Sequence, residues 1–152
     1  MCSHHNASRD ERGQAFVELA LVLPIFVLLL VGAAEIGRIA FATIEVSNAA
    51  RAGVSYGAQN HATASDSSGI QTAAIQDGPD LTDLQAVATR ACTCSSGTTI
   101  TCANAAANCL APSRIIEYVQ VQTSAVVGTV FKFPGIPNSI TLNGYAIMRV
   151  EQ

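Results

Sequence analysis

Residues 12–35 read RGQAFVELALVLPIFVLLLVGAAE, and the fold turns on this stretch. A basic residue and a glycine lead into an apolar run, with one carboxylate, Glu18, just inside it. About 20 predominantly apolar residues suffice to cross a bilayer core as a helix. Glu18 would lie near one end of that crossing, where a lone charge is costly and by default marks function. Pro24 removes one helix hydrogen bond and crowds the carbonyl of Ala20, which predicts a bend. Gly32, Ala33 and Gly37 follow; Ala33 and Gly37 are spaced to admit a second helix closely.

On the N-terminal side, Met1–Arg12 is polar and reads as a flexible tail. His4 and His5 form no metal site by ligand count, and the Asn6-Ala7-Ser8 triplet carries no weight as a glycosylation signal on a tail that stays cytoplasmic. Arg9 and Arg12 precede the apolar run and Arg38 follows it, which favours a cytoplasmic N-terminus.

On the C-terminal side, Ile36, Ile39, Thr43, Val46 and Ala50 alternate spacings of three and four and define one helix face, with Arg38, Glu45 and Asn48 opposite. The helix is expected to reach about Tyr56, with Gly57 as its stop. From Ala15 to Tyr56 that is a rod of roughly 60 Å, so its outer half must pack on the rest of the chain or on other copies.

Gln59–Gly69 reads as a polar loop with His61 as a solvated surface residue. A short helix is expected over Ile70–Ile75, ended by Asp77-Gly78-Pro79. A second is expected from Leu81 to about Ala91, on the spacing of Leu81, Leu84, Val87 and Ala88. Ile116–Val127 alternates, Val119 and Val121 against Gln120 and Gln122, and reads as a strand with one wet face. Thr129–Phe133 is a second candidate strand and Phe133–Asn138 a turn. Ser139–Val150 is a third strand, on the shared parity of Ile140, Leu142, Ala146, Met148 and Val150. Gly144 marks a bulge or a close approach to the long helix. The expected class is α+β: a long membrane-spanning N-terminal helix packed on a small antiparallel sheet, with a disulfide-stabilised loop region.

Of five cysteines, Cys92, Cys94, Cys102 and Cys109 cluster and Cys2 stands apart. Four clustered cysteines beyond a membrane segment indicate disulfides in an oxidising compartment. Three connectivities are open; the preferred one joins Cys94 to Cys102 and Cys92 to Cys109, the former closing a hairpin-like loop over Ser95-Ser96-Gly97. The alternative, a four-thiolate zinc site, usually has ligands two residues apart at both ends, which this spacing lacks.

Composition narrows the function classes. A net charge of -3 offers no basic patch for nucleic acid, and the absence of Trp argues against a stacking platform for single strands. No phosphate loop, nucleophile elbow or paired-carboxylate motif can be placed. The expectation is a protein with no catalytic residues, no metal and no cofactor.

These residues together resemble a known family, the TadE-like pseudopilins of tight-adherence (Tad/Flp) pilus systems, within the type IV pilin superfamily. The resemblance rests on Gly13 followed by Gln14-Ala15-Phe16-Val17-Glu18, the Pro24-containing apolar run, Ala49-Ala50-Arg51-Ala52-Gly53, and the closing Met148-Arg149-Val150-Glu151. It implies cleavage by a prepilin peptidase after Gly13, leaving Gln14 as the mature N-terminus, Glu18 as its fifth residue and an even four cysteines. Major Flp pilins are much shorter and carry Tyr after this glutamate. Leu19 stands here, and both departures favour a minor pseudopilin.

The implied layout is a cytoplasmic leader over 1–13, a transmembrane and stalk helix over 14–57, and an extracytoplasmic domain over 58–152, in the bacterial inner membrane. The implied partners are the prepilin peptidase, other pilin or pseudopilin subunits, the inner-membrane assembly platform and the lipid bilayer, with no nucleic acid. Glu18 would pair with a new amine at Gln14 on this chain or a neighbour. Adhesion would use the Gln59–Gly69 loop or the cysteine loop. Two other readings remain: a secreted binding protein cleaved after Val31-Gly32-Ala33 to start at Ala34, and an uncleaved anchor.

Overall fold

The computed structural model describes residues 7–130, 132, 135 and 137–151, with side chains from Gly13 onward. The readings of Cys2, His4, His5 and Asn6 lie outside those residues. So do parts of the expected Thr129–Phe133 strand and of the turn after it; Thr129 and Val130 themselves are not in a strand. The chain divides into two compact units, one ending at Arg38 and one starting at Ile39.

The described residues of the first unit are all helical. Helix α1 runs Ala7–Gly57 without interruption, through Pro24, and continues into the second unit.

In the second unit the elements follow in the order α2 (His61–Ser65), α3 (Ser67–Gln76), β1 (Gln85–Cys94), β2 (Thr99–Ile100), a 3-10 turn at Cys102–Asn104, α4 (Ala105–Asn108), β3 (Ile115–Gly128) and β4 (Ser139–Arg149). The four strands form one antiparallel sheet in the order β2-β1-β3-β4. The expected sheet covered by the outer half of the long helix is what the unit contains. Val46, Ala49, Ala50 and Val54 of α1 are buried with Val119, Val121, Ala125 and Leu142 of the sheet.

The buried helix face is shifted from the expected one. Val46 and Ala50 lie on it, but Ala42, Ala49 and Gly53 complete it, while Thr43 is exposed. The reason is size. A methyl built on Gly53 would stand 3.1 Å from Ala74 Cβ and 3.2 Å from Val121 Cγ2, so the sheet and α3 both approach the small-residue side.

Three local readings are corrected. First, residues 85–94 form strand β1, where a second helix was expected over Leu81–Ala91. Its ten residues pair with Cys94↔Ile115 through Gln85↔Ser124 of β3. Alanine fits helix and strand periods alike, so the ladder offered by β3 decided the outcome. Second, the expected loop over Gln59–Gly69 contains α2. The Asn60 side chain accepts from the amides of Ala62 and Thr63, and Thr63 Oγ1 accepts from the Asn60 amide, a capping box. Third, the disulfides are Cys92–Cys102 and Cys94–Cys109, with Cα–Cα separations of 5.1 and 5.6 Å. The turn at 95–97 falls where expected. However, the register sets Cys92 against Ile100, which leaves Cys102 beside Cys92 and several residues past Cys94. Helix α4 then brings Cys109 back to Cys94.

Gly144 is a point of close approach, not a bulge, because the β3–β4 register is unbroken through it. A methyl there would lie 2.6 Å from the Val46 carbonyl oxygen and 2.5 Å from Thr123 Oγ1. The buried Thr123 hydroxyl donates to that same carbonyl at 2.7 Å, which ties α1 to the middle of the sheet.

Candidate functional site

The candidate site is the head of α1. Gly13, Gln14 and Glu18 lie on adjoining helical turns. Gln14 Nε2 donates to Glu18 Oε1 at 3.5 Å, a contact at the outer limit of hydrogen bonding. A methyl built on Gly13 would meet nothing within 4 Å. Apolar side chains project all round the helix from Phe16, at 73% exposed, to Leu30, at 68%. A helix apolar on every side belongs in a core or in a membrane, and among the described residues its most apolar stretch is exposed. By length and composition this helix is a candidate membrane anchor.

At the far end of the run, Arg38 donates to Glu35 at 2.8 Å, an i,i+3 ion pair. Pairing spares both groups part of the cost of lying next to an apolar segment.

In the second unit the sheet carries a polar cluster that the sequence reading missed. Glu117 is 2% exposed and faces inward on β3. Its Oε1 accepts from Arg90 Nε on β1, and its Oε2 lies 2.5 Å from His61 Nδ1 on α2. Arg90 also donates to Ser65 Oγ at 3.0 Å. His61 is therefore an anchoring residue of α2, not a free surface histidine. The available signal was parity: Glu117 shares the parity of Val119 and Val121, so an acid stood at an inward position. Its cation was hidden because Arg90 fell inside the misread helix. Both carboxylate oxygens are occupied, so the cluster joins α2, β1 and β3 and presents no free base.

A second polar knot caps α3. The Asp66 side chain accepts from the Gly69 amide at 2.9 Å, from Ser68 Oγ at 2.7 Å and from Tyr56 OH at 3.2 Å. The Gly69 amide and then the Ser68 hydroxyl hold the Asp66 carboxyl below its ordinary value. The hydrogen bond to Asp66, with its negative charge, raises the Tyr56 phenol.

The four clustered cysteines are all taken up in disulfides. Among the described residues no group of three or more His, Cys, Asp or Glu could hold a metal ion.

Against known families, residues 13–55 match the TadE-like protein model. The match covers the candidate anchor and the part of α1 that packs on the sheet, and it bears out the resemblance read from Gly13–Glu18 and Ala49–Gly53. No curated protein and no solved structure matches the chain.

Proposed function

We propose, from the TadE-like segment over residues 13–55, that the chain is a component of a Tad pilus and, more finely, a minor pseudopilin acting in pilus assembly. In this reading a prepilin peptidase cleaves between Gly13 and Gln14. The leader over 1–13 is removed, residues 14–57 anchor and extend the subunit, and residues 58–152 stand outside the bacterial inner membrane.

The observation that carries the reading is one helix with two characters. Between Gln14 and Ala34 it is predominantly apolar on every side and bears a single carboxylate, Glu18, four residues beyond Gln14. Its second half is the inner lining of a folded, disulfide-bonded unit. The disulfides agree with an oxidising compartment for that unit.

The chemistry of assembly follows from Glu18. An ionised carboxylate in hydrocarbon costs several kcal/mol unless it is paired. Cleavage creates an ammonium at Gln14. That charge, on this chain or on a neighbour, neutralises Glu18 and fixes the axial stagger of adjoining helices. Apolar packing alone leaves that stagger free. Partners in this reading are other pilin-type subunits, the assembly platform and the bilayer, and the role is structural.

The test is Glu18→Ala in the full chain within its native membranes. The variant is expected to insert and to be processed, yet to yield at least tenfold fewer crosslinks to other pilin-type subunits. Wild-type crosslinking by a processed, inserted variant would overturn the pairing role.

A further inference from the structure

The sheet has two edges, and the chain treats them differently. At one edge β2 is only two residues long, the loop around it is held by two disulfides, and α3 packs against β1. The other edge is β4, eleven residues in unbroken register with β3.

The direction of its backbone groups follows from two hydrogen bonds. Val150 N donates to Glu117 O and Thr129 N to Asn138 O, both at 2.9 Å. Even-numbered residues thus face β3 across this antiparallel pair. The odd-numbered ones, Ser139, Thr141, Asn143, Tyr145, Ile147 and Arg149, turn their N–H and C=O outward. Among the described residues nothing bonds to these groups.

Exposed edges are normally blunted by proline, lysine, a bulge, shortness or a covering element. β4 has no proline, lysine or bulge, and its single charge is Arg149 at one end. Its odd side chains share the uncovered sheet face, where Tyr145 is 56% and Ile147 48% exposed.

We infer that β4 is a strand-accepting edge, completed by an extended segment of a different polypeptide. The segment carries apolar or aromatic residues opposite Tyr145 and Ile147 and a carboxylate opposite Arg149. A row of outward amides and carbonyls at two-residue spacing is matched by another strand's backbone, and alternate side chains then supply specificity. A second copy of β4 matches poorly, since β4 contains no carboxylate. A self-pairing that sets Glu151 against Arg149 would engage only the last residues of the strand. The edge lies wholly in the second unit, so this inference holds whether or not the chain is cleaved after Gly13.

The experiment places the photoreactive residue p-benzoylphenylalanine at Thr141, Asn143 or Tyr145, one at a time, in the full chain in its native membranes. Adducts are mapped by mass spectrometry. The expected result is that the three positions label one extended segment of another protein, with the labelled site stepping along it by two residues from each position to the next. Thr141→Pro with Ile147→Pro, which removes outward amides and leaves the bonds to β3, is expected to cut the Asn143 adduct at least tenfold while the melting of the purified chain stays cooperative. Arg149→Glu, which leaves the backbone intact, is expected to cut it several-fold. Adducts to lipid alone, to a second copy of β4 or to scattered sites, or adducts unchanged in both variants, would overturn the inference.

Discussion

At the residue scale two contacts decide how the second unit holds together, and they differ in how visible they were. Gly144 was legible as a glycine inside an alternating strand, the pattern left where another backbone comes close. The Val46 carbonyl that approaches it is bonded by Thr123, far along the chain. Gly144→Ala drives a methyl against both groups, one of them backbone, which cannot swing aside. The expected cost is about 1–3 kcal/mol, as for overpacking, read as a shift in the denaturation midpoint of the full chain in detergent micelles. Glu117 was less legible, because its inward parity was plain while its partners were not. Arg90→Ala leaves a buried carboxylate held by His61 alone. Breaking a buried pair costs about 3–5 kcal/mol, and because Arg90 is itself 36% exposed the lower end, about 3 kcal/mol, is expected in the same measurement. Glu117→Gln together with Arg90→Ala should recover part of that loss, since no unpaired charge is then left inside.

At the scale of elements, what could be read depended on whether the local pattern named a single period. The apolar run from Leu19 and the alternation of Val119 and Val121 each admit one reading; β3 stands where it was expected, and α1 covers the expected stretch but begins at Ala7, within the segment read as a tail. In residues 85–91, QAVATRA, alanine suits either period, so the strand was set by partner β3 and not by local preference. The disulfide pairing was misread for a related reason. The turn at Ser95-Ser96-Gly97 favoured a hairpin-like loop closed by Cys94 and Cys102, whereas the hairpin register sets which side chains are neighbours. Helix α3 is capped by Asp66, whose carboxylate takes local bonds from Ser68 and Gly69 and one from Tyr56 of α1. The folded state lowers the Asp66 carboxyl, so its contribution is present above the ordinary carboxylate value and is lost as pH falls through the lowered one. Thermal melting of the wild type should therefore fall in the acid range below about pH 4. Asp66→Asn should melt lower than wild type at neutral pH, and the gap should narrow in acid. A gap that stays constant with pH would show that the charge contributes nothing.

At the scale of the whole molecule, one helix has two characters: its apolar side chains from Phe16 to Leu30 are exposed among the described residues, and its C-terminal part completes the core of the second unit. The candidate anchor was legible because about 20 apolar residues make a signal that needs no tertiary information. The open β4 edge was not, because an edge exists only once the strand order is known. The proposed pseudopilin role turns on where the natural chain begins and on its thiol state. Both are read at once by intact-mass and N-terminal analysis of the protein purified without reductant from its own membranes. The account predicts a chain that starts at Gln14, carries two disulfides and has no free thiol; a chain starting at Ala34, or one with four free thiols, would contradict it.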